Sequence, residues 1–209
     1  MVGKNSKKYE KYLQNSDIFI NSSTPSFNLP IMNLALKYNT NYADLASDIY
    51  KDEIISTLKF DQQILENEFK SQNLFALINL GISPGITNFL IGEKIHSLKN
   101  LPYEVKIKKL EINLLEEIQS KKLIFSWSPK VAIDELAFPP VFYKKNRPKT
   151  IEPFSKSKVY KFPYFRNIVD IYPVFQEELI SLKQSFPQIE NLKLFVGGSE
   201  IELIDRKST

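Results

Sequence analysis

Leu74-Phe75-Ala76-Leu77-Ile78-Asn79-Leu80-Gly81-Ile82-Ser83-Pro84-Gly85-Ile86-Thr87-Asn88-Phe89-Leu90 is the stretch on which the reading of this chain turns. The apolar run 74–80 predicts a buried strand. Gly81-x-x-Pro84-Gly85 interrupts it, and a helical pattern follows. A strand, a glycine turn and a helix in that order form the junction at which α/β sheets bind ligands. Gly81 and Gly85 permit positive φ and let a ligand approach the backbone closely. A plain tight loop requires the same residues, so this stretch alone leaves both readings open.

Upstream, Asp17–Asn21 predicts a short apolar strand that ends in the polar loop Ser22-Ser23-Thr24-Pro25-Ser26. Asn28 is placed to cap a helix with Pro30 in its first turn, where a missing N–H costs nothing. Ile31, Leu34, Ala35 and Tyr38 share one apolar face of that helix. Asn41–Leu45 predicts the next strand, closing on Ala46-Ser47-Asp48. Asp61 caps a further helix with Ile64, Leu65 and Phe69 inward. Three short apolar strands alternating with helices argue for a parallel α/β sheet with right-handed crossovers.

Beyond Leu98 the pattern changes. Tyr103–Leu115 alternates like a strand, with a change of parity at Lys108-Lys109 that suggests a bulge or bend. Lys122–Trp127 predicts another strand, and Ser128-Pro129 opens a helix through Ala137. Residues 138–173 hold half of the prolines, with short strands near 141–143 and 159–162. A helix over 176–185 and a strand over 192–196 complete the chain. Strands here no longer alternate with helices, which predicts an α+β domain with a mixed or antiparallel sheet. The expected division is 1–100 and 101–209, its boundary near 98–103.

Composition narrows the functional classes. The 209 residues are 43% hydrophobic and 12% aromatic, enough for a packed core. With no Cys there is neither a disulfide nor a thiolate nucleophile, and a single His without neighbouring ligand spacing predicts no metal site. The formal charge is +4 and the Lys and Arg residues read as scattered along the sequence, so no nucleic-acid partner is expected. No leader-like or membrane-spanning apolar run is seen, and the expectation is a cytoplasmic protein without a membrane partner.

Four stretches together resemble the saccharopine dehydrogenase-like family of NAD(P)-dependent oxidoreductases. They are Asp17-Ile18-Phe19-Ile20-Asn21-Ser22-Ser23-Thr24-Pro25, Tyr42-Ala43-Asp44-Leu45-Ala46, the Gly81-x-x-Pro84-Gly85-x-x-Asn88 junction, and Phe125-Ser126-Trp127-Ser128-Pro129-Lys130. They are similar, in order, to the family's fourth Rossmann strand and nicotinamide loop, its Tyr-x-Asp-Leu strand end, its glycine junction and its Phe-Ser-Trp-Ser motif. The resemblance covers roughly residues 15–198.

The chain also departs from the pattern. It has no Gly-x-Gly-x-x-Gly turn to hold a pyrophosphate, Gly3 being the only glycine before Gly81. Leu114-Leu115-Glu116-Glu117-Ile118 stands where relatives carry a glycine-rich segment. Pro173-Val174-Phe175-Gln176-Glu177-Glu178 replaces a His-Pro-Glu-like run, and Lys130 stands where Arg is frequent. By this comparison the chain starts at the second half of the Rossmann domain and spans about half a family length. The expectation is a partial Rossmann-like unit followed by a substrate and dimerisation domain.

The resemblance implies reversible hydride transfer between NAD or NADP and an amino-acid-derived secondary amine. Asp44 is then the acid–base candidate, or else a loop hydrogen-bond partner. Lys130 binds a substrate carboxylate and takes part in catalysis, as a point charge without the fork of Arg, or is a solvated surface residue. Thr24, Pro25, Gly81, Pro84 and Gly85 line the cofactor, while Ser83, Asn88 and Trp127 contact substrate. Ordinary turn chemistry, and core packing for Trp127, are the alternatives. His96 falls opposite the apolar side of its helix and is expected to face solvent. The implied assembly is a homodimer or a complex with a separate N-terminal half. The competing reading is a catalytically inactive remnant that serves as a dimerisation or partner-binding module.

Overall fold

The computed structural model describes residues 12–47, 60–118, 124–125 and 127–198. The chain divides into two compact units, Met1–Ile95 and His96–Thr209. The architecture is α/β, a partial Rossmann-like parallel sheet followed by a unit built on a mixed sheet.

In the first unit β1 (Ile18–Asn21), β2 (Asn41–Asp44) and β3 (Ala76–Leu77) run parallel in the order β1-β2-β3. Helix α1 (Asn28–Lys37) connects β1 to β2. Phe19, Met32, Ala35, Tyr42 and Phe69 form the core, each burial of such a side chain contributing about 1.5–3 kcal/mol for the larger ones. Ile31, Leu34 and Tyr38 pack against that core as their spacing predicts. Asn28 is not the cap: a 3₁₀ turn over Pro25–Phe27 precedes the helix, Phe27 occupies the cap position, and the Asn28 side chain is buried. The carboxamide has stronger claims on it elsewhere, described below.

Two helices here end without glycine. Asn39 and Asn73 take φ of 52° and 56° just after α1 and after α2 (Glu66–Ser71). Asparagine is the side chain that best tolerates this left-handed position, so it can replace the usual glycine stop.

Three expectations are corrected in this unit. Asp61 opens a 3₁₀ helix, Asp61–Leu65, instead of capping one; Phe60 holds the cap position and its N–H donates to Gln63 Oε1 at 3.1 Å. Ile64 is 58% exposed, and Gln62 takes the inward place because its amide reaches Asp44. The run 74–80 supplies only the two-residue β3, with Phe75 and Leu77 about half exposed. Among the described residues β3 pairs with β2 alone, so its side chains alternate between inside and outside as in any one-sided strand. Helix α3 (Ile86–Lys99) follows the glycine turn, with Ile95 buried and His96 exposed as expected.

The second unit is organised on its last described strand. Strands β4 (Lys109–Glu116), β5 (Val141–Lys144), β6 (Arg147–Thr150), β7 (Lys158–Lys161), β8 (Ile168–Pro173) and β9 (Asn191–Gly198) form one sheet. β9 runs parallel to β4 from Lys109↔Asn191 to Glu116↔Gly198. It runs antiparallel to β5 at Tyr143↔Leu192 and to β8 from Ile171↔Gly197 to Pro173↔Phe195. The hairpins β5–β6 and β7–β8 extend the sheet. Helices α4 (Pro129–Ala137) and α5 (Glu178–Ser185) complete the unit, α5 burying Leu179, Ile180 and Leu182.

The strand expected from Tyr103 begins only at Lys109, so the parity change at Lys108-Lys109 marks a strand start and not a bulge. Ser128 occupies the cap position of α4 with Pro129 first in the helix, as predicted, although its hydroxyl makes no capping bond. Half of the strand expected over Lys122–Trp127 lies outside the described residues; Ile124, Phe125 and Trp127 are described and lie in no strand. The sequence reading omitted β6, whose Pro148 suits a strand paired on one side, and β8, which ends in Pro173.

Candidate functional site

In the first unit β1 and β2 end level with each other, Asn21 opposite Asp44, and the chain after β3 turns at Gly81 beside them. Parallel strands give both carboxyl ends to one edge of the sheet, which is why polar side chains gather there. Asn21 donates through Nδ2 to Asn28 Oδ1 at 2.6 Å, and its own Oδ1 accepts from the Ser23 N–H and hydroxyl. Asn28 Nδ2 donates to the Ala46 carbonyl at 2.8 Å, while its Oδ1 also accepts from the Tyr42 hydroxyl at 3.1 Å. Burial, followed by the neighbouring Asp44 carboxylate, raises the Tyr42 phenol well above its ordinary value.

Asp44 is 1% exposed. Its Oδ2 accepts from Gln62 Nε2 at 2.7 Å, and its Oδ1 accepts from the Asn79 N–H at 2.8 Å. Its backbone carbonyl accepts from the Leu80 N–H at 2.9 Å. Burial raises the carboxyl above its usual range, and the donated hydrogen bonds from Asn79, Gln62 and Tyr42 work against that shift. Asp44 therefore fastens the segment entering the glycine turn to the end of β2.

Several polar atoms in this unit are buried and without a hydrogen-bond partner among the described residues: both Oδ1 and Nδ2 of Asn79, Gln62 Oε1 and Ser47 Oγ. Asn79 also sits at φ 64°. A buried amide that makes no bond costs about 1–3 kcal/mol.

The turn is tightly closed. Gly81 and Gly85 form a β-bridge, and the Ile86 N–H donates back to the Gly81 carbonyl at 2.9 Å. A Cβ on Gly81 would lie 2.6 Å from the Leu45 carbonyl oxygen, and one on Gly85, at φ +135°, would lie 2.1 Å from that of Gly81. The chain's own backbone thus fills the space that each glycine leaves free. Pro84 is buried, and Asn88 Oδ1 accepts from the Gly85 N–H at 3.3 Å. The Thr87 and Phe89 N–H groups are bonded to the carbonyls of Ile82 and Gly85, so three of the amides at the start of α3 are already engaged. Ser83 is half-buried within the turn. Pro25 is buried at the start of its 3₁₀ turn, and the Thr24 hydroxyl lies 3.0 Å from that of Ser26.

Lys130 and Trp127 belong to the second unit. The Lys130 side chain is 79% exposed and pairs with Asp134 one turn on, at 2.5 Å. Trp127 is 42% exposed, so it is not core. The same unit holds a cluster that the sequence reading passed over. Glu135 on α4 accepts at Oε2 from Gln176 Nε2 at 2.9 Å. Its carboxyl is pushed up to about 7, first by burial and then by the Glu178 and Glu116 carboxylates, against the pull of the Gln176 bond. Among the described residues no cluster of three or more His, Cys, Asp or Glu has the geometry to hold a metal ion, and no helix is long and apolar enough to cross a membrane.

No family model and no curated protein matches the sequence. Among solved structures the chain matches the apo histidine-tagged saccharopine dehydrogenase (L-Glu forming) from Saccharomyces cerevisiae. The TM-score is 0.69 over 94% of this chain at 18% identity, and the chain spans 43% of that structure's length. The likeness is one of fold, and it extends through both units. Of the network at the strand ends, only Asp44 had been given a site role from sequence; Asn28 had been read as a helix cap, Asn21 and Tyr42 only as members of quoted motifs, and Gln62 and Asn79 had no role. The available signal was a polar residue closing each apolar strand, at Asn21, Asp44 and Asn79.

Proposed function

We propose that this chain carries the nicotinamide-proximal and substrate-binding parts of a saccharopine dehydrogenase-like oxidoreductase. It would act on the C–N bond of an amino-acid-derived secondary amine, with residues 1–100 as the dinucleotide unit and 101–209 as the substrate and dimerisation unit. The observation that carries this reading is the level ending of β1 and β2 beside the Gly81–Gly85 turn, in a chain whose fold matches the yeast enzyme.

The residues present fit one end of NAD or NADP better than the other. The Asn79 carboxamide, unpartnered among the described residues, offers a donor group and an acceptor group beside the strand ends, which suits an amide or ribose hydroxyl. No Gly-x-Gly-x-x-Gly turn is present to take a pyrophosphate. Bound there, NAD or NADP would supply a hydride acceptor for the carbon beside the amine. The chain's own groups position what surrounds that step. Asp44, both oxygens engaged, acts as a positioning residue for the turn, and its burial argues against direct proton exchange with solvent. Thr24 and Pro25 border the β1 end, Gly81, Pro84 and Gly85 set the turn's shape, and Ser83 and Asn88 present polar atoms along it. Lys130 and Trp127 supply a cation and an aromatic wall for a carboxylate-bearing substrate in the second unit.

Titrating the purified chain with NADH and NADPH, read by nucleotide fluorescence, tests this reading. The expected result is weak, millimolar-range binding that Asn79→Gly lowers about tenfold while leaving the fold intact, Gly being at home at that φ. Absence of saturable binding by either nucleotide overturns it. The second reading, an inactive remnant that docks or dimerises, draws on the filled glycine spaces and the engaged amides of α3, which leave no open phosphate cradle at that turn.

A further inference from the structure

The basic residues that look scattered in sequence are gathered by strand register. Residues 144–166 contain eight Lys and Arg against one Glu. In the β5–β6 hairpin Lys144 lies directly opposite Arg147, and Phe142 directly opposite Lys149. Side chains opposite each other in a sheet share a face, and so do alternate residues along a strand. Lys144, Arg147, Lys149 and Phe142 therefore share one face. The other face of β5 holds Val141 and Tyr143, both buried. Tyr143 pairs with Leu192 on β9, so Lys193 falls on the Phe142 face, with its Nζ 5.4 Å from that ring.

Farther along the same face Lys158 lies 4.2 Å from the Phe195 ring centre and 5.4 Å from that of Tyr160. It bonds Glu111, the one acid that the register places on this face of β4. Lys144, Arg147 and Lys149 are exposed, and none of them, nor Lys193, forms an ion pair among the described residues. Like charges held directly opposite each other destabilise a hairpin. The Lys144–Arg147 pair is therefore a local cost that an anionic partner would remove.

We propose that the β5–β6 end of this face binds single-stranded nucleic acid, without sequence preference; toward β8 the same face is covered, Ile171, opposite Gly197, being fully buried. Cations that follow the backbone, with aromatic rings between them, are the combination such surfaces use. Arg147 and Lys149, two residues apart, are separated by about 7 Å along β6, a span of about two 3.4 Å steps of a stacked strand. A lipid surface fits less well, because the rings on this face are half-buried and none projects as an anchor. A second copy of the chain would bring the same four cations against themselves. The inference stands apart from the dehydrogenase reading and uses none of its residues.

Fluorescence anisotropy of the full chain with a labelled 20-mer of deoxythymidine, from 50 to 200 mM salt, is the test. Four phosphate contacts predict a loss of affinity of about 50-fold across that range, from a slope near −0.7 per phosphate. The double reversal Arg147→Glu with Lys149→Glu is expected to weaken binding at least tenfold and to lower the salt slope by about 1.4. Lys37→Glu with Lys99→Glu makes the same change in net charge elsewhere and is expected to stay within twofold. If the reversal unfolds the hairpin by circular dichroism, the neutral Lys149→Gln and Lys193→Gln carry the test, each expected to lower the slope by about 0.7. No binding at 50 mM salt overturns the proposal. Equal losses in the hairpin and control variants overturn it as well, as does binding to anionic vesicles without binding to the oligonucleotide.

Discussion

Each unit draws a carboxyl group out of water, Asp44 fully and Glu135 in part, and the two are treated differently. Asp44 in the first unit is met by donors: the Gln62 amide and the Asn79 N–H each take one oxygen. Glu135 in the second has one donor, Gln176, and is faced by two further carboxylates, Glu178 and Glu116. Burial raises both. The donors around Asp44 resist that rise, whereas the acids around Glu135 add to it. A buried carboxylate surrounded by donors organises backbone; one surrounded by acids holds a proton near neutral pH.

The largest expected effect removes the turn that Asp44 serves. Gly85→Ala must place a Cβ 2.1 Å from the Gly81 carbonyl at φ +135°, and about 3 kcal/mol or more of stability should be lost, read from urea unfolding. A loss under about 1 kcal/mol would mean that the turn relaxes freely and that Asp44 has little to hold. Asp44→Ala should follow closely, at about 2–4 kcal/mol, since it strands the Gln62 amide and the Asn79 N–H together.

Glu135 gives the third effect. Its folded value, about 7, lies above its ordinary 4.5, so the folded protein holds the extra proton. The stabilisation is complete below the unfolded value and is lost as pH rises through about 7. On the order of 2–3 kcal/mol is at stake across that window. Melting temperature should fall between pH 5 and 8, and Glu135→Gln should flatten that dependence. An unchanged slope in the variant would assign the proton to another group, Asp44 included, because its shift has the same sign.

Lys130→Met should be the mildest for the fold. Its exposed i,i+4 pair with Asp134 contributes about 0.3–0.5 kcal/mol. If it holds a substrate carboxylate, its loss raises KM with kcat nearly unchanged.

The periodic parts of the molecule were legible in the sequence. β1, β2, β9 and the turn at Gly81 could be read because short apolar runs bounded by polar or glycine residues carry their own boundaries. Hydrophobicity misled where a polar side chain had a better inward partner than an apolar one, as with Gln62 in place of Ile64. The strand-end network draws Asn21, Asn28, Tyr42, Asp44, Gln62 and Asn79 from separate segments, and no local pattern announces which will meet. The basic face was hidden for the same reason. Cross-strand register decides that Lys193 joins the hairpin lysines, although more than forty residues separate it from Lys149.

The place of β9 bears on how the protein forms. In the first unit β1 and β2 lie about twenty residues apart, and each can find its neighbour early. In the second, β4, β5 and β8 all wait for one strand, and the longest-ranged of these pairings joins Lys109 to Asn191. Contacts so distant in sequence slow folding and leave intermediate sheet edges open. On a ribosome the first unit can mature while the second remains an assembly of hairpins. Only with the emergence of residues 191–198 can the second sheet close, and until then the edges of β4, β5 and β8 that it will cover stay unpaired on that side.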